Sequence, residues 1–225
     1  MAKVVIFDLD GTLIDTPNAI VAAFNATFTG AGLPEREAAA IRKTIGLPLE
    51  RAFSDLTGVP LTDPAIAGFV AGYQAHFRGT ILPKAAALVF PGVADGLTRL
   101  AGLGITLTVA TSKFHRSAVD ILTAAGLRDH FEMVVGADQV TQPKPDAESS
   151  VIILEALGAS PEDALVVGDT THDLLMARAA GIRSVAVTYG VHGRELLATA
   201  GPELIADTFG EVVRYAGAEI RSPLP

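Results

Sequence analysis

The sequence predicts an α/β protein: a doubly wound, Rossmann-like parallel sheet with a helical segment inserted into it. Five short apolar runs rich in β-branched residues stand out, Val4 to Phe7, Ile105 to Ala110, Met133 to Val135, Ala164 to Val167 and Ser184 to Val187. Runs that are apolar without alternation suit strands buried on both faces, as parallel strands are. Helical patterns lie between most of them and stop at glycine, which readily takes up the left-handed conformation that ends a helix. One interval, from Phe7 to Ile105, is far too long for a single crossover helix, and within it residues from about Thr16 to Leu82 hold no convincing strand.

Taken in order, Gly92 to Gly102 leads into the second strand, and Arg116 to Ala125 follows it and stops at Gly126. Ala147 to Leu157 stops at Gly158, and Asp173 to Ala180 at Gly181. Strand, helix and glycine stop recurring in that order is the pattern of a βαβ domain. The long interval offers four amphipathic stretches, Asn18 to Thr29, Glu35 to Thr44, Leu49 to Thr57 and Pro64 to Arg78. Turn signals part them at Gly30–Pro34, Gly46–Pro48 and Gly58–Pro60. The expected division is an α/β core of residues 1–15 and 83–225 and a four-helix cap of residues 16–82. The return to the core is expected as a linker through Pro83 and Lys84 to Phe90-Pro91-Gly92.

The chain has 225 residues, 49% of them apolar, enough for one good-sized core or a core with a small satellite. Its formal charge of −8 disfavours nucleic acid and anionic membrane as partners, since both are polyanions. Without a cysteine it can hold neither a disulfide scaffold nor a thiolate metal site or nucleophile. No apolar run reaches the roughly 18 residues of a membrane span. A cytoplasmic monomer or small homo-oligomer is the expectation.

In an open parallel sheet, ligands bind beyond the carboxyl ends of the strands. The first strand is followed by Asp8-Leu9-Asp10-Gly11-Thr12, the second by Thr111-Ser112-Lys113, and the fourth by Gly168-Asp169-Thr170-Thr171-His172-Asp173. Beyond the third lie Asp138 and Gln142-Pro143-Lys144-Pro145. Taken singly, each has an ordinary reading: Asp before Gly is common in turns, Asp caps helices, and most lysines are solvated. Together they converge on one sheet edge. Two carboxylates flanking one residue directly after a buried strand repel each other unless a cation or a shared proton relieves them. Four acids there argue for a hard, oxygen-ligated cation, and Mg²⁺ is the usual one beside phosphate.

These residues resemble the haloacid dehalogenase-like hydrolases, within them the phosphoglycolate phosphatase-like branch with a helical cap. The four motifs occur in order: Asp8-Leu9-Asp10-Gly11-Thr12, then Thr111, then Lys144 before a proline, then Gly168-Asp169 with Asp173. The resemblance implies a phosphatase acting on a small phosphorylated metabolite. It implies Asp8 as covalent nucleophile and Asp10 as general acid and base, with Thr111 and Lys144 on the phosphoryl group. It implies Mg²⁺ held by Asp8, Asp10 through its carbonyl, and Asp169, with Asp173 behind or acting through water. Gly11, Thr12 and Ser112 are expected to bind phosphate, and Arg42 to read a substrate carboxylate, although Arg42 and Lys43 also fit solvated helix charges. An aspartyl-phosphate divides one very hard hydrolysis, which demands rate factors up to about 10²¹, into two easier steps.

Related activities are weighed at single positions. Dehalogenase and phosphonatase branches lack the second aspartate, here Asp10. By ungapped placement a phosphonatase cap lysine, or a mutase cap arginine, falls at Leu49, and a mutase cap histidine at Ile20. Pyrophosphatase or phosphomutase activity remains as an alternative within the family, and a non-catalytic phosphate-binding or regulatory protein as an alternative of another class.

Overall fold

The computed structural model of the chain describes residues 3–219. Six parallel strands form one sheet: β1 (Val4–Phe7), β2 (Thr106–Ala110), β3 (Met133–Val135), β4 (Ala164–Gly168), β5 (Arg183–Val187) and β6 (Leu204–Ala206). They lie in the order β3-β2-β1-β4-β5-β6, every neighbouring pair parallel. This is the doubly wound order, with the crevice where the winding reverses at β1. The register sets Phe7 level with Val109 on one side and Val167 on the other. The loops leaving β1, β2 and β4 therefore emerge at one height.

Both faces of the sheet are covered, which is why the strands carry apolar residues without alternation. Val5 and Phe7 belong to an apolar cluster that takes in Val93, Leu97 and Leu100 of α5 (Val93–Gly102), Ile121 and Leu122 of α6 (His115–Ala124), and Val212 of α10 (Phe209–Glu219). Val4 and Ile6 belong to the opposite cluster, with Ile153 and Leu154 of α7 (Glu148–Leu157) and Met176 and Ala177 of α8 (Thr171–Ala179). The five expected strands are all present. β6, α10 and the short α9 (Arg194–Ala198) were not expected, because three residues between Pro202-Glu203 and Asp207 give no periodic signal of their own.

Four helices lie between β1 and β2: α1 (Pro17–Gly30), α2 (Ala38–Arg42), α3 (Leu49–Thr57) and α4 (Pro64–His76). Proline at the first position starts α1 and α4, where its missing N–H costs nothing. Asp63 caps α4 by accepting from the Ala65 N–H at 2.8 Å, and Gly58 ends α3 with φ 74°. The insert packs on aromatic rings, with Phe24 at 4.6 Å from Phe53 and 5.0 Å from Tyr73, and Phe53 at 5.5 Å from Phe69. These rings join the same apolar cluster as Val5 and Phe7.

Two expectations for this segment are corrected. The second helix is shorter than Glu35 to Thr44, because the Asn25 side chain pairs with the Arg36 backbone through both its groups (2.9 and 3.1 Å) and holds residues 35–37 extended. The return is not an open linker: α4 widens into a π-helical turn, Phe77–Ile81, and continues as a 3-10 helix, Leu82–Leu88. The outgoing and returning chains then pair, with the Asp15 N–H donating to the Leu88 carbonyl at 2.7 Å and the Phe90 N–H to the Leu13 carbonyl at 3.1 Å. Residues 1–2 and 220–225 of the expected core lie outside the described residues.

Gly96 in α5 faces α10 so closely that a Cβ would sit 2.5 Å from the Phe209 ring and 2.8 Å from Val213. Glycine to alanine inside a helix ordinarily stabilises by about 1 kcal/mol. Here overpacking should win, and Gly96→Ala is expected to lose about 1–3 kcal/mol in urea unfolding; a gain in stability would contradict this packing.

Candidate active site

Asp8 directly follows β1, and its N–H donates to the Val167 carbonyl at 2.8 Å, which ties it to β4. The Lys144 ammonium lies 2.6 Å from Asp8 Oδ1 and 2.6 Å from Asp173 Oδ1. Lys144 enters from the loop between β3 and α7, and only 6% of it is exposed. Asp8, Asp169 and Asp173 each offer an oxygen within 4.8 Å of the others. Residues separated by most of the chain thus meet at the predicted edge.

Each carboxylate lives in a different local field. Burial pushes the Asp8 carboxyl up to about 7; the Lys144 ammonium pulls it down, while the charges of Asp173 and Asp10 push it further up. Asp169 is raised as well, first by burial and then by Asp8 and Asp173. Asp173 goes the other way although it is equally buried and shares the same lysine. It alone also receives the Thr170 N–H at 3.0 Å and hydroxyl at 2.7 Å, and with Lys144 these donors outweigh burial. Lys144 is itself raised: burial alone would lower it, but Asp173 and Asp8 together prevail.

Three buried carboxylates facing one ammonium leave an excess of negative charge, which a divalent cation would relieve. The donors are all oxygens, which suits a hard ion such as Mg²⁺. Asp173 already spends both oxygens on Lys144 and Thr170, whereas Asp8 Oδ2 has no hydrogen-bond partner among the described residues. Asp8 and Asp169 are therefore the better placed ligands. Asp169 is completely buried and held by the Thr12 hydroxyl (3.0 Å) and the Val191 N–H (2.7 Å). Gly11, at φ 95°, and Gly190 crowd its carboxylate so closely that a Cβ on either would overlap it.

Asp10 is half-buried and takes the Thr16 hydroxyl at 2.7 Å and the Lys113 ammonium at 3.1 Å. Lys113 also lies 4.1 Å from the centre of the Phe77 ring, so its charge is held between the core acid and the insert. The Thr111 hydroxyl accepts the Lys113 N–H at 3.1 Å. A cavity of about 80 Å³ between the insert and the sheet edge is lined by Asp8, Asp10, Thr111, Ser112 and Asp173 from the core side.

Several expected substrate contacts are used otherwise. Gly11 donates its N–H to the Ile14 carbonyl (2.9 Å) and abuts Asp169; Thr12 is fully buried behind Asp169, its carbonyl accepting from the Tyr189 hydroxyl at 3.1 Å. Neither lines the cavity. Ser112 does, but its hydroxyl donates to the Gly46 carbonyl of the insert at 2.7 Å. Arg42 lies outside the cavity and donates to the Asn18 side chain; residues 44–47, just past it, form the wall instead. Asp138 caps the start of α6 through the His115 N–H at 2.6 Å. Ile20 and Leu49 both line the cavity as apolar residues. Lys113 and Thr16 were not foreseen as site residues. Lys113 had a signal, since it stands two after Thr111 as Asp10 stands two after Asp8.

The cradle around Asp169 gives a direct check. Gly190→Ala is expected to lower the melting temperature measurably, because the new methyl displaces a buried carboxylate. Gly68→Ala, inside α4 with open space around it, should not lower it. Equal effects would refute the cradle.

The comparisons with known proteins agree with this geometry. Residues 5–187 match the family described as haloacid dehalogenase-like hydrolase. The chain is 49% identical over 221 residues to "Probable phosphatase IndB" of Dickeya dadantii, covering 98% of this chain and 96% of that protein. It is 33% identical to "Phosphoglycolate phosphatase 1" of Pseudomonas aeruginosa, covering 100% of this chain and 84% of the relative. Among solved structures, a haloacid dehalogenase-like family hydrolase of Streptococcus pneumoniae superposes with TM-score 0.80 at 30% identity, covering 95% of this chain and 98% of that one. A hydrolase from Pseudomonas syringae superposes with TM-score 0.83 at 26% identity, covering 98% and 100%. By the family match over residues 5–187 and by these relatives, the chain belongs to the haloacid dehalogenase-like hydrolases.

Proposed function

We propose that this protein is a Mg²⁺-dependent phosphatase that hydrolyses a small phosphorylated metabolite in the cytoplasm through an aspartyl-phosphate on Asp8. The observation that carries the reading is Asp8 itself: buried at the central strand's end, bonded to Lys144 at 2.6 Å through one oxygen, with its other oxygen unbonded among the described residues. Two relatives with phosphatase names support the reaction class. Among the described residues no helix is long and apolar enough to cross a membrane. The insert, residues 16–82, serves as a cap over the core.

Asp8 attacks phosphorus, and the bond from phosphorus to the ester oxygen breaks. Asp10 gives that oxygen a proton. Water then attacks phosphorus, Asp10 takes its proton, and the bond to Asp8 breaks to release phosphate. Lys144 neutralises the approach of one anion to another, and the Thr111 hydroxyl donates to a phosphoryl oxygen while its own lone pair holds the Lys113 N–H. Thr16 and Lys113 fix which way Asp10 faces. The Asp8 and Asp169 carboxylates and the Asp10 carbonyl would hold Mg²⁺, which adds positive charge against the phosphoryl oxygens. Asp173 orients Lys144 and acts on the metal site through water.

Asp8→Asn should cut kcat on p-nitrophenyl phosphate by more than about 10³-fold. Asp10→Asn should cut it by about 10²–10⁴-fold. EDTA should stop turnover and Mg²⁺ restore it. Wild-type rates in the Asp8 variant would rule out the covalent route.

The raised carboxyls also set a pH dependence. An acid raised in the folded state favours folding while protonated; that contribution is complete below its ordinary value of 3.8 and is lost as the pH climbs to about 7. Asp169 has the same sign. Protons therefore compete with a cation for these carboxylates, and Mg²⁺ should raise the melting temperature more at about pH 8 than at about pH 5. A Mg²⁺ effect that shrinks with rising pH would count against this site.

A further inference from the structure

We propose that the site selects phosphate monoesters whose alcohol is uncharged and carries an apolar body, and that it disfavours short carboxylated alcohols such as that of 2-phosphoglycolate. This rests on the phosphatase reading above and concerns the part of the substrate that the phosphoryl-binding residues never touch.

The insert's side of the cavity is built from Ile20, Phe24, Leu47, Leu49, Tyr73 and Phe77. Phe24 and Tyr73 lie 5.0 Å apart and Tyr73 and Phe77 6.1 Å apart, so three adjoining rings face the sheet edge. None of the insert residues that line the cavity is charged. Their polar groups are few and neutral, and two bonds across this wall are already spent: the Thr44 hydroxyl donates to the Ile41 carbonyl at 2.7 Å, and the Gly46 carbonyl accepts from Ser112 at 2.7 Å. Tyr73 and Gln74 remain as neutral partners for a hydroxyl or amide.

A substrate carboxylate needs a cation here, because burying an anion without a partner is costly. Among the described residues lining the cavity, Lys113 is the sole cation, and it is committed to Asp10 at 3.1 Å and to the Phe77 ring at 4.1 Å. Drawing it away would free Asp10 from its partner. Of the guanidiniums next in sequence to the wall, Arg42 donates to the Asn18 side chain and Arg51 pairs with Asp55 at 2.8 Å. A second negative charge on the substrate would also face Asp10 itself. An apolar body meets none of these costs and gains contact with the rings.

The test compares benzyl phosphate with 2-phosphoglycolate on the full chain with Mg²⁺. Both release primary alcohols, so leaving-group chemistry does not decide the outcome. We expect kcat/KM to favour benzyl phosphate by at least about tenfold. Equal or better turnover of 2-phosphoglycolate overturns the proposal while leaving the phosphatase reading intact. No phosphate release from either compound or from p-nitrophenyl phosphate overturns both. Leu47→Arg places a guanidinium in the same wall and should move the ratio toward 2-phosphoglycolate by at least about tenfold. A folded variant with an unmoved ratio also overturns the proposal, and the wild-type ratio decides it if that variant fails to fold.

Discussion

A single buried ammonium set between two carboxylates organises this molecule. Lys144 lies 2.6 Å from both Asp8 and Asp173, so the end of β1, the loop after β3 and the first turn of α8 are tied at one point. A buried charge is tolerated only when paired and bonded, and removing one partner leaves the others exposed to the full desolvation cost. The bond is therefore as much a structural constraint as a chemical one. It also leaves the charge balance incomplete, since Asp169 stands within reach and has no cation of its own among the described residues. Stability is given up where a divalent ion and a phosphoryl group would be received.

The rest of the fold serves to hold that imbalance in place. Thr12, Val191, Gly11 and Gly190 enclose Asp169, while Thr170 bonds Asp173 and starts α8 in the same contact. The His192 ring accepts the Thr171 N–H at 3.1 Å and so caps the same helix from the loop after β5. Rigid glycines and bonded side chains around the acids let them stay close without rearrangement.

Beside the cavity, two side chains of the core reach the insert. Ser112 reaches the Gly46 carbonyl, and Lys113 stands between Asp10 and the Phe77 ring. Both come from the segment after β2, so one short stretch connects the acid of the core to the wall of the insert. The outgoing and returning chains are hydrogen-bonded to each other at Asp15–Leu88 and Leu13–Phe90.

How far all this was legible depends on whether the information is local. The strands, the glycine stops, the helical insert and the acids at the strand ends were readable, because burial on both faces and helix ends each leave a mark within a few residues. That Asp8, Lys144, Asp169 and Asp173 meet also followed, since strand ends of a parallel sheet share one edge. How each donor is spent could not be assigned in the same way. Gly11 and Thr12 serve Asp169, Ser112 serves Gly46, Arg42 serves Asn18, and Lys113 serves Asp10 and Phe77. β6 was missed although the equally short edge strand β3 was read: β6 has one β-branched residue where β3 has two, and two of its three residues are only partly buried. Residue order was thus enough for five of the six strands and for the acids and the lysine that gather at the sheet edge. Their partners and the apolar wall above them came only with the folded arrangement, because hydrogen bonds and packing between distant segments depend on distances that no local pattern records.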